Sequence, residues 1–247
     1  MSFAGELRRI AERLDTPDAR PARRMRIPLP LYRMFNRIRL LTPVNTILDV
    51  GANIGEFSEW VAKFWPEAKI HAFEPLPCCL SPLQQVAARH PQVSIHEFAL
   101  GEKSGEAEMF ENEFSPSSSL LPMTDRHREI WPKTAKDKPV NVPIRTLDAF
   151  VEENQLSTPT LLKLDVQGFE INVLRGASKA LKNVAVILSE VQFDAFYEDQ
   201  TDFLDLQILL KEHGFRFLEF ADERRLNEEH RLVYADAVFV RHELRFP

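Results

Sequence analysis

The hydrophobic positions of this chain switch repeatedly between two periods, and the switches mark out its elements. Thr46 to Val50 is a nearly continuous apolar run, and Phe57, Trp60, Val61 and Phe64 then recur at i, i+3, i+4 and i+7. The first pattern predicts a buried strand and the second one face of a helix. Lys69 to Glu74 and Val93 to Phe98 read as further strands, the latter continuing into Ala99 and Leu100, with a helix over about Ser81 to His90 between them. Pro82 suits the first turn of that helix, where its missing N–H is no loss. The rhythm returns with a strand at Leu161 to Asp165, a helix with apolar Phe169, Val173, Leu174 and Ala177, and a strand from Val184 to Glu190. A last helix, Phe203 to His213, is stopped by Gly214. Phe215 to Phe220 and Val233 to Val240 then read as a hairpin joined by the polar stretch Ala221 to Arg231. This alternation predicts an α/β fold: a doubly wound, Rossmann-like sheet of seven strands, mostly parallel, with a C-terminal antiparallel hairpin.

Two regions fall outside the alternation. Between residues 101 and 146 a short strand (Glu106 to Glu111) is followed by Phe114-Ser115-Pro116-Ser117-Ser118-Ser119-Leu120 and a charged stretch to Lys138, before a strand at Val140 to Ile144 and a helix capped by Thr146. An insertion of this length in a compact domain reads as a lid, and Phe114 and Trp131 favour that; His127 reads as a solvated loop residue. The other region is the start. Residues 1–40 carry ten arginines against Glu6, Glu12, Asp15 and Asp18, and the remaining 207 residues carry a net charge of −12. Leu7, Ile10, Ala11 and Leu14 form a short amphipathic pattern that Pro17 interrupts, prolines at 21, 28 and 30 favour extended chain, and Leu31 to Leu41 predicts a helix leading into the first strand. The expected division is a basic helical or extended segment over 1–43 and a sheet domain over 44–247 with the lid-like insertion inside it. The basic segment is expected to lie on its own acidic body or stay solvated; the other reading is an arm for an anionic membrane, a nucleic acid or an acidic partner. The acidic remainder offers no basic face, so no nucleic acid is expected as a partner.

Composition adds little beyond this. The chain is 44% hydrophobic and 28% charged, ordinary for a soluble globular domain. Its two cysteines, Cys78 and Cys79, are adjacent and poorly placed to staple a fold, no apolar run is long enough to span a bilayer, and Met1 to Ile10 lacks a signal-peptide core. A cytoplasmic location is the expectation. His71 and His96 lie inside strand patterns and read as satisfied sheet histidines.

The chemistry collects where strands end. Asp49 closes the first strand, and Gly51, Asn53 and Gly55 follow it in a tight loop. A dinucleotide fingerprint would place a glycine at Asn53 to admit a pyrophosphate, and an acid at the strand end would repel one. Asp49 suits an ammonium group instead, directly or through water, while Glu74, nineteen residues after Gly55, suits ribose hydroxyls. A ligand with an amino-acid end and a ribose end but no phosphate is S-adenosylmethionine. Asp165 and Glu190 also end strands, and Lys163 shares one side of its strand with Asp165. In a doubly wound sheet Asp49, Glu74, Asp165 and Glu190 should meet on one rim. Asp165 and Glu190 are the candidates for acting on an acceptor hydroxyl, either as base or by holding Mg²⁺, with Lys163 as electrostatic partner.

The same residues resemble a known family. Ile47-Leu48-Asp49-Val50-Gly51-Ala52-Asn53-Ile54-Gly55, Ala72-Phe73-Glu74-Pro75, Ala99-Leu100-Gly101-Glu102, Ser118-Ser119-Leu120, Arg145-Thr146-Leu147-Asp148, Leu162-Lys163-Leu164-Asp165-Val166-Gln167-Gly168-Phe169-Glu170, Leu174-Arg175-Gly176-Ala177 and Ser189-Glu190-Val191 follow one another as in the FkbM methyltransferases. The resemblance spans about residues 44 to 220, and the family pattern usually has Glu where this chain has Gln167. It implies the class I methyltransferase fold, S-adenosylmethionine as cofactor, and O-methylation of a sugar, glycolipid or natural-product hydroxyl. Cofactor contacts are then expected from Asp49, Gly51, Asn53, Gly55, Glu74, Pro75, Ala99 and Leu100. Two other readings are a methyltransferase fold that only binds a ligand, and a nucleic-acid methyltransferase supported by the arginine-rich start alone.

Overall fold

The computed structural model describes residues 17–156, 161–226 and 230–246. Two helices, α1 (Ala19–Met25) and α2 (Leu29–Leu41), precede a sheet whose first strand is β1 (Thr46–Val50). Leu31, Met34, Phe35 and Ile38 repeat at helical spacing and are all buried. That stripe docks α2 on α3 (Glu56–Phe64), where the Phe35 ring meets those of Phe57, Phe64 and Trp65 at 5.9, 5.3 and 5.0 Å. Arg37 pairs with Glu219 and Arg33 with Asp18, so residues 19–41 lie against the body of the protein. Arg20, Arg23, Arg24 and Arg26 remain exposed. The pattern at Leu7, Ile10, Ala11 and Leu14 lies outside the described residues. Among the described residues no helix is long and apolar enough to cross a membrane.

The sheet continues through β2 (Lys69–Phe73), α4 (Pro77–Arg89) and β3 (Val93–His96). It is completed by β7 (Leu161–Leu164), β8 (Val186–Gln192), β9 (Phe215–Arg225) and β10 (Leu232–Arg241) in the order β3-β2-β1-β7-β8-β10-β9. The first five strands in that order are parallel, and β10 runs antiparallel to β8 and β9. All residues of β1 and β7 are buried because helices cover both faces, which explains their unalternating apolar sequences. One face packs on α1, α2 and α3. The other packs on α6 (Leu147–Glu153), α7 (Glu170–Arg175) and α8 (Phe203–Glu212).

The expectations fail in places with a physical reason. The helix expected from Ser81 opens at Pro77, and Pro82 lies inside it. Two prolines five positions apart carry the same opening signal, and the sequence does not rank them. The chain leaves the sheet after His96, and Ala99–Leu100 (β4) pairs instead with β6 (Asp137–Arg145), which in turn pairs antiparallel with β5 (Gly105–Asn112). This three-stranded second sheet was not foreseen. Both hairpin strands also outlast the predicted ends, reaching Arg225 and starting at Leu232. Other details match: Thr146 accepts a hydrogen bond from Ala149 N at 3.1 Å as cap of α6, and Cys78 and Cys79 are free thiols. The histidines expected to be satisfied are so only in part: the rings of His71 and His96 meet at 3.0 Å between nitrogens, but His71 Nε2 is buried without a partner among the described residues.

Candidate active site

The loop after β1 is shaped by its glycines. Gly51 has φ +77°, and a Cβ placed there would lie 1.9 Å from the carbonyl oxygen of Asp165. Only a residue without a side chain lets the ends of β1 and β7 approach so closely. Gly55, at φ +88°, precedes α3, whose first turn carries Glu56 and Glu59. Lys163 Nζ donates to Gly51 O at 2.8 Å and lies 3.2 Å from Asp49 Oδ1 and 3.5 Å from Asp165 Oδ2. Burial opposes its charge, but the two carboxylates overcome that and hold its pKa above the ordinary lysine range.

Asp49 departs from expectation. It is 0% exposed, its Oδ2 accepts from Ser58 Oγ at 2.6 Å, and its other oxygen faces Lys163. It therefore lies beneath the rim, and direct contact with a ligand ammonium is closed to it. Gly55 likewise does not line the cavity; its place is filled by α4, with Leu83 and Val86 against it. Both residues act on the loop, and the loop faces the cavity. Glu74 does reach the cavity. Its Oε2 accepts from Asn53 N at 2.8 Å and its Oε1 from Leu76 N at 2.9 Å. Burial raises its pKa despite those two bonds. Each oxygen keeps a further lone pair, so a diol has acceptors waiting for it.

At the end of β7 and along β8 stands a second group. Gln167 Nε2 donates to Asp165 Oδ1 at 2.9 Å and to Glu190 Oε1 at 2.7 Å. Its Oε1 faces Tyr197 Oη at 3.1 Å and accepts from Gln192 Nε2 at 3.3 Å. The amide is thus oriented by four neighbours, with φ +53° on its own backbone. Glu190 lies within β8, two residues before its end. Its pKa is pushed well up, by burial first and then by the charges of Asp165 and Asp236. Asp236 stands directly opposite Glu190 on β10, and its own pKa is raised to about 7 by burial and Asp165. For Mg²⁺ the fit is poor: a nitrogen donor occupies the place between the two carboxylates, and among the described residues no group of three ligating side chains forms.

Residues 113–136 cross over these groups. Ser115 Oγ donates to Asn53 Oδ1 at 3.0 Å, Ser119 Oγ to Gln167 O at 2.8 Å, and Tyr197 Oη lies 3.0 Å from Ser117 O. His127, in α5 (Asp125–Ile130), is 3% exposed rather than solvated, because the rings of Trp131, Phe196 and Tyr197 enclose it. That burial, aided by Arg128, lowers its pKa to about 4 and keeps it neutral at physiological pH. Beneath this roof lies one cavity of about 1140 Å³, lined by the glycine loop, Glu74, Pro75, Ala99, Leu100, Lys163, Asp165 and Glu190. It exceeds the roughly 300–1,000 Å³ of a pocket for a single small ligand. Gln192, Tyr197, Tyr234 and Asp236 were not anticipated at the site. Gln192 had a signal, since it shares a strand face with Glu190. Asp236 had none, because an antiparallel strand does not deliver its carboxyl end to the rim.

A family model described as the methyltransferase FkbM domain matches residues 49–217. The chain belongs to the FkbM methyltransferase family. Among its relatives, the 2-O-methyltransferase NoeI of Sinorhizobium fredii is 25% identical over 81% of this chain and 81% of its own. The hexuronic acid methyltransferase AglP of Haloferax volcanii is 27% identical over 65% of this chain and 61% of its own. The 31-O-demethyl-FK506 methyltransferase FkbM of Streptomyces tacrolimicus is 26% identical over 71% of this chain and 74% of its own. This FkbM-family protein is thus a methyltransferase of the S-adenosylmethionine-dependent kind.

Proposed function

We propose that this FkbM-family enzyme methylates a hydroxyl group of a sugar, glycolipid or natural-product acceptor. The observation that carries the reading is that one cavity joins Glu74 and the glycine loop to the Asp165–Gln167–Glu190 group across neighbouring strand ends. The enzyme's relatives support that class of acceptor: NoeI is a 2-O-methyltransferase, FkbM a 31-O-demethyl-FK506 methyltransferase and AglP a hexuronic acid methyltransferase. Bound S-adenosylmethionine supplies an electrophilic methyl group. Glu74 takes the ribose hydroxyls, with Gly51, Asn53, Pro75, Ala99 and Leu100 forming the wall around the cofactor. Asp49 and Gly55 act indirectly by holding the loop. Methyl transfer is a displacement, so alignment is the protein's largest contribution. As the acceptor oxygen takes the methyl group, one carboxylate of the Asp165–Glu190 pair accepts its proton, and Lys163 fixes Asp165 in place. Residues 113–136 act as a lid that keeps water out, within a catalytic domain that runs from about residue 44 to the C-terminus.

A labelled methyl donor offered with a panel of glycosides, lipids and polyketide alcohols tests the reading, and failure of every hydroxyl to accept label refutes it. Glu74→Ala is expected to weaken binding of S-adenosylmethionine by roughly 1.5–3 kcal/mol, the loss of charge-assisted hydrogen bonds. Calorimetry checks this, and an unchanged Kd removes Glu74 from the cofactor site. Because Gln167 already bridges the carboxylates, chelator treatment is expected to leave turnover unchanged. Loss of activity that added Mg²⁺ restores would show instead that the amide gives way to a metal ion.

A further inference from the structure

Around Gln167 the hydrogen-bond donors of Gln167 and Lys163 are committed, and two buried acceptors nearby are not. Both N–H groups of Gln167 Nε2 go to Asp165 and Glu190, and Lys163 is taken up by Gly51 O, Asp49 and Asp165. Gln192 gives its amide nitrogen to Gln167, which leaves Gln192 Oε1 buried without a partner among the described residues. The proton on His127 is assigned by its neighbour. Thr134 has one hydroxyl hydrogen, and it goes to Trp131 O at 2.9 Å. Thr134 Oγ1 must then accept from His127 Nε2–H, 3.0 Å away. His127 Nδ1 is therefore a bare acceptor, and it too is buried without a partner among the described residues. Gln192 is 7% and His127 3% exposed, and both line the cavity. Tyr197 ties them together: its ring meets that of His127 at 5.5 Å, and its hydroxyl meets Gln167 beside Gln192.

Buried acceptors with no donor are unfavourable, so a ligand that enters here gains by bringing donors of its own. The rings of Trp131, Phe196 and Tyr234 offer apolar faces for ring C–H groups. We propose that His127 Nδ1 and Gln192 Oε1 form a subsite that reads a second hydroxyl on the acceptor, selecting a polyhydroxylated ring over a ring with a single hydroxyl. Neither residue touches the reacting atoms; both set specificity. The inference rests on the methyltransferase reading of the same cavity.

The test uses the full-length protein saturated with S-adenosylhomocysteine, with a panel of methyl glycosides and cyclohexanol as probes, read by saturation-transfer NMR and calorimetry. The expected result is that the best glycoside binds about tenfold or more tighter than cyclohexanol. Gln192→Met and His127→Phe should each bring that ratio down toward one, while S-adenosylhomocysteine binds within about twofold of wild type and reports an intact fold. Equal binding of both probes to the wild type overturns the proposal, as does absence of glycoside binding or a ratio kept in both variants. Failure of the wild type to bind S-adenosylhomocysteine is a different result, and it overturns the cofactor reading instead.

Discussion

Asp165→Asn is expected to lower turnover by about 10² or more while leaving S-adenosylhomocysteine binding within a few-fold of wild type. The substitution nearly preserves shape. It removes the charge that faces Lys163 at 3.5 Å and replaces one oxygen of the Gln167 clamp with a group that can donate. Glu190→Gln should behave in the same way, since Gln167 grips both carboxylates through one nitrogen. The two effects should not add: both carboxylates share the one Gln167 nitrogen, so the double variant should lose little more than the worse single one. Single-turnover kinetics on an acceptor from the panel, with calorimetry alongside, reads both quantities. Full turnover by both single variants would place the acceptor chemistry elsewhere in the cavity.

Gly51→Ala should damage both the fold and the cofactor loop. The new methyl would sit 1.9 Å from the Asp165 carbonyl oxygen, on a residue whose φ of +77° already disfavours any side chain. Strain in the left-handed region and overpacking together are worth about 2–5 kcal/mol. The loop can escape only by moving away from β7, which would carry Gly51 O off Lys163 and reopen the Asp49–Lys163–Asp165 arrangement. Stability and cofactor affinity should therefore fall together. Urea unfolding paired with S-adenosylhomocysteine calorimetry measures this, and a variant with wild-type values in both would show that the loop is not confined as described.

The central strands were legible because burial on both faces forces an apolar run, as at Ile47-Leu48 and Leu161-Leu162. The acids at strand ends were legible for the same reason, since an ionised group there must face the rim or a partner. What pattern could not separate was rim from partner. Asp49 and Glu74 look alike in sequence, yet Ser58 and Lys163 draw the first inward while backbone N–H groups leave the second open to the cavity. Glu190 reads as a strand terminus because the unbroken apolar run ends before it, whereas β8 runs on to Gln192. The second sheet escaped notice because β4 has only two residues and its partner lies far along the chain. His127 escaped because its burial depends on rings contributed by Phe196 and Tyr197, which no local period reports.

The ladder between β5 and β6 runs unbroken from the Gly105–Ile144 pair to the Asn112–Asp137 pair. Residues 113–136 are consequently the tip of a hairpin clamped at its base, and they reach the cavity without interrupting any strand of the larger sheet. For a loop closed at a fixed base, lengthening is thermodynamically mild: each doubling adds only about 0.6 kcal/mol of closure entropy. Insertions and deletions in this tip can accordingly reshape the ceiling over the acceptor while the glycine loop and Glu74 beneath it keep their geometry. Such a scaffold lets the lid end of the cavity vary in length and chemistry at a small cost in closure entropy.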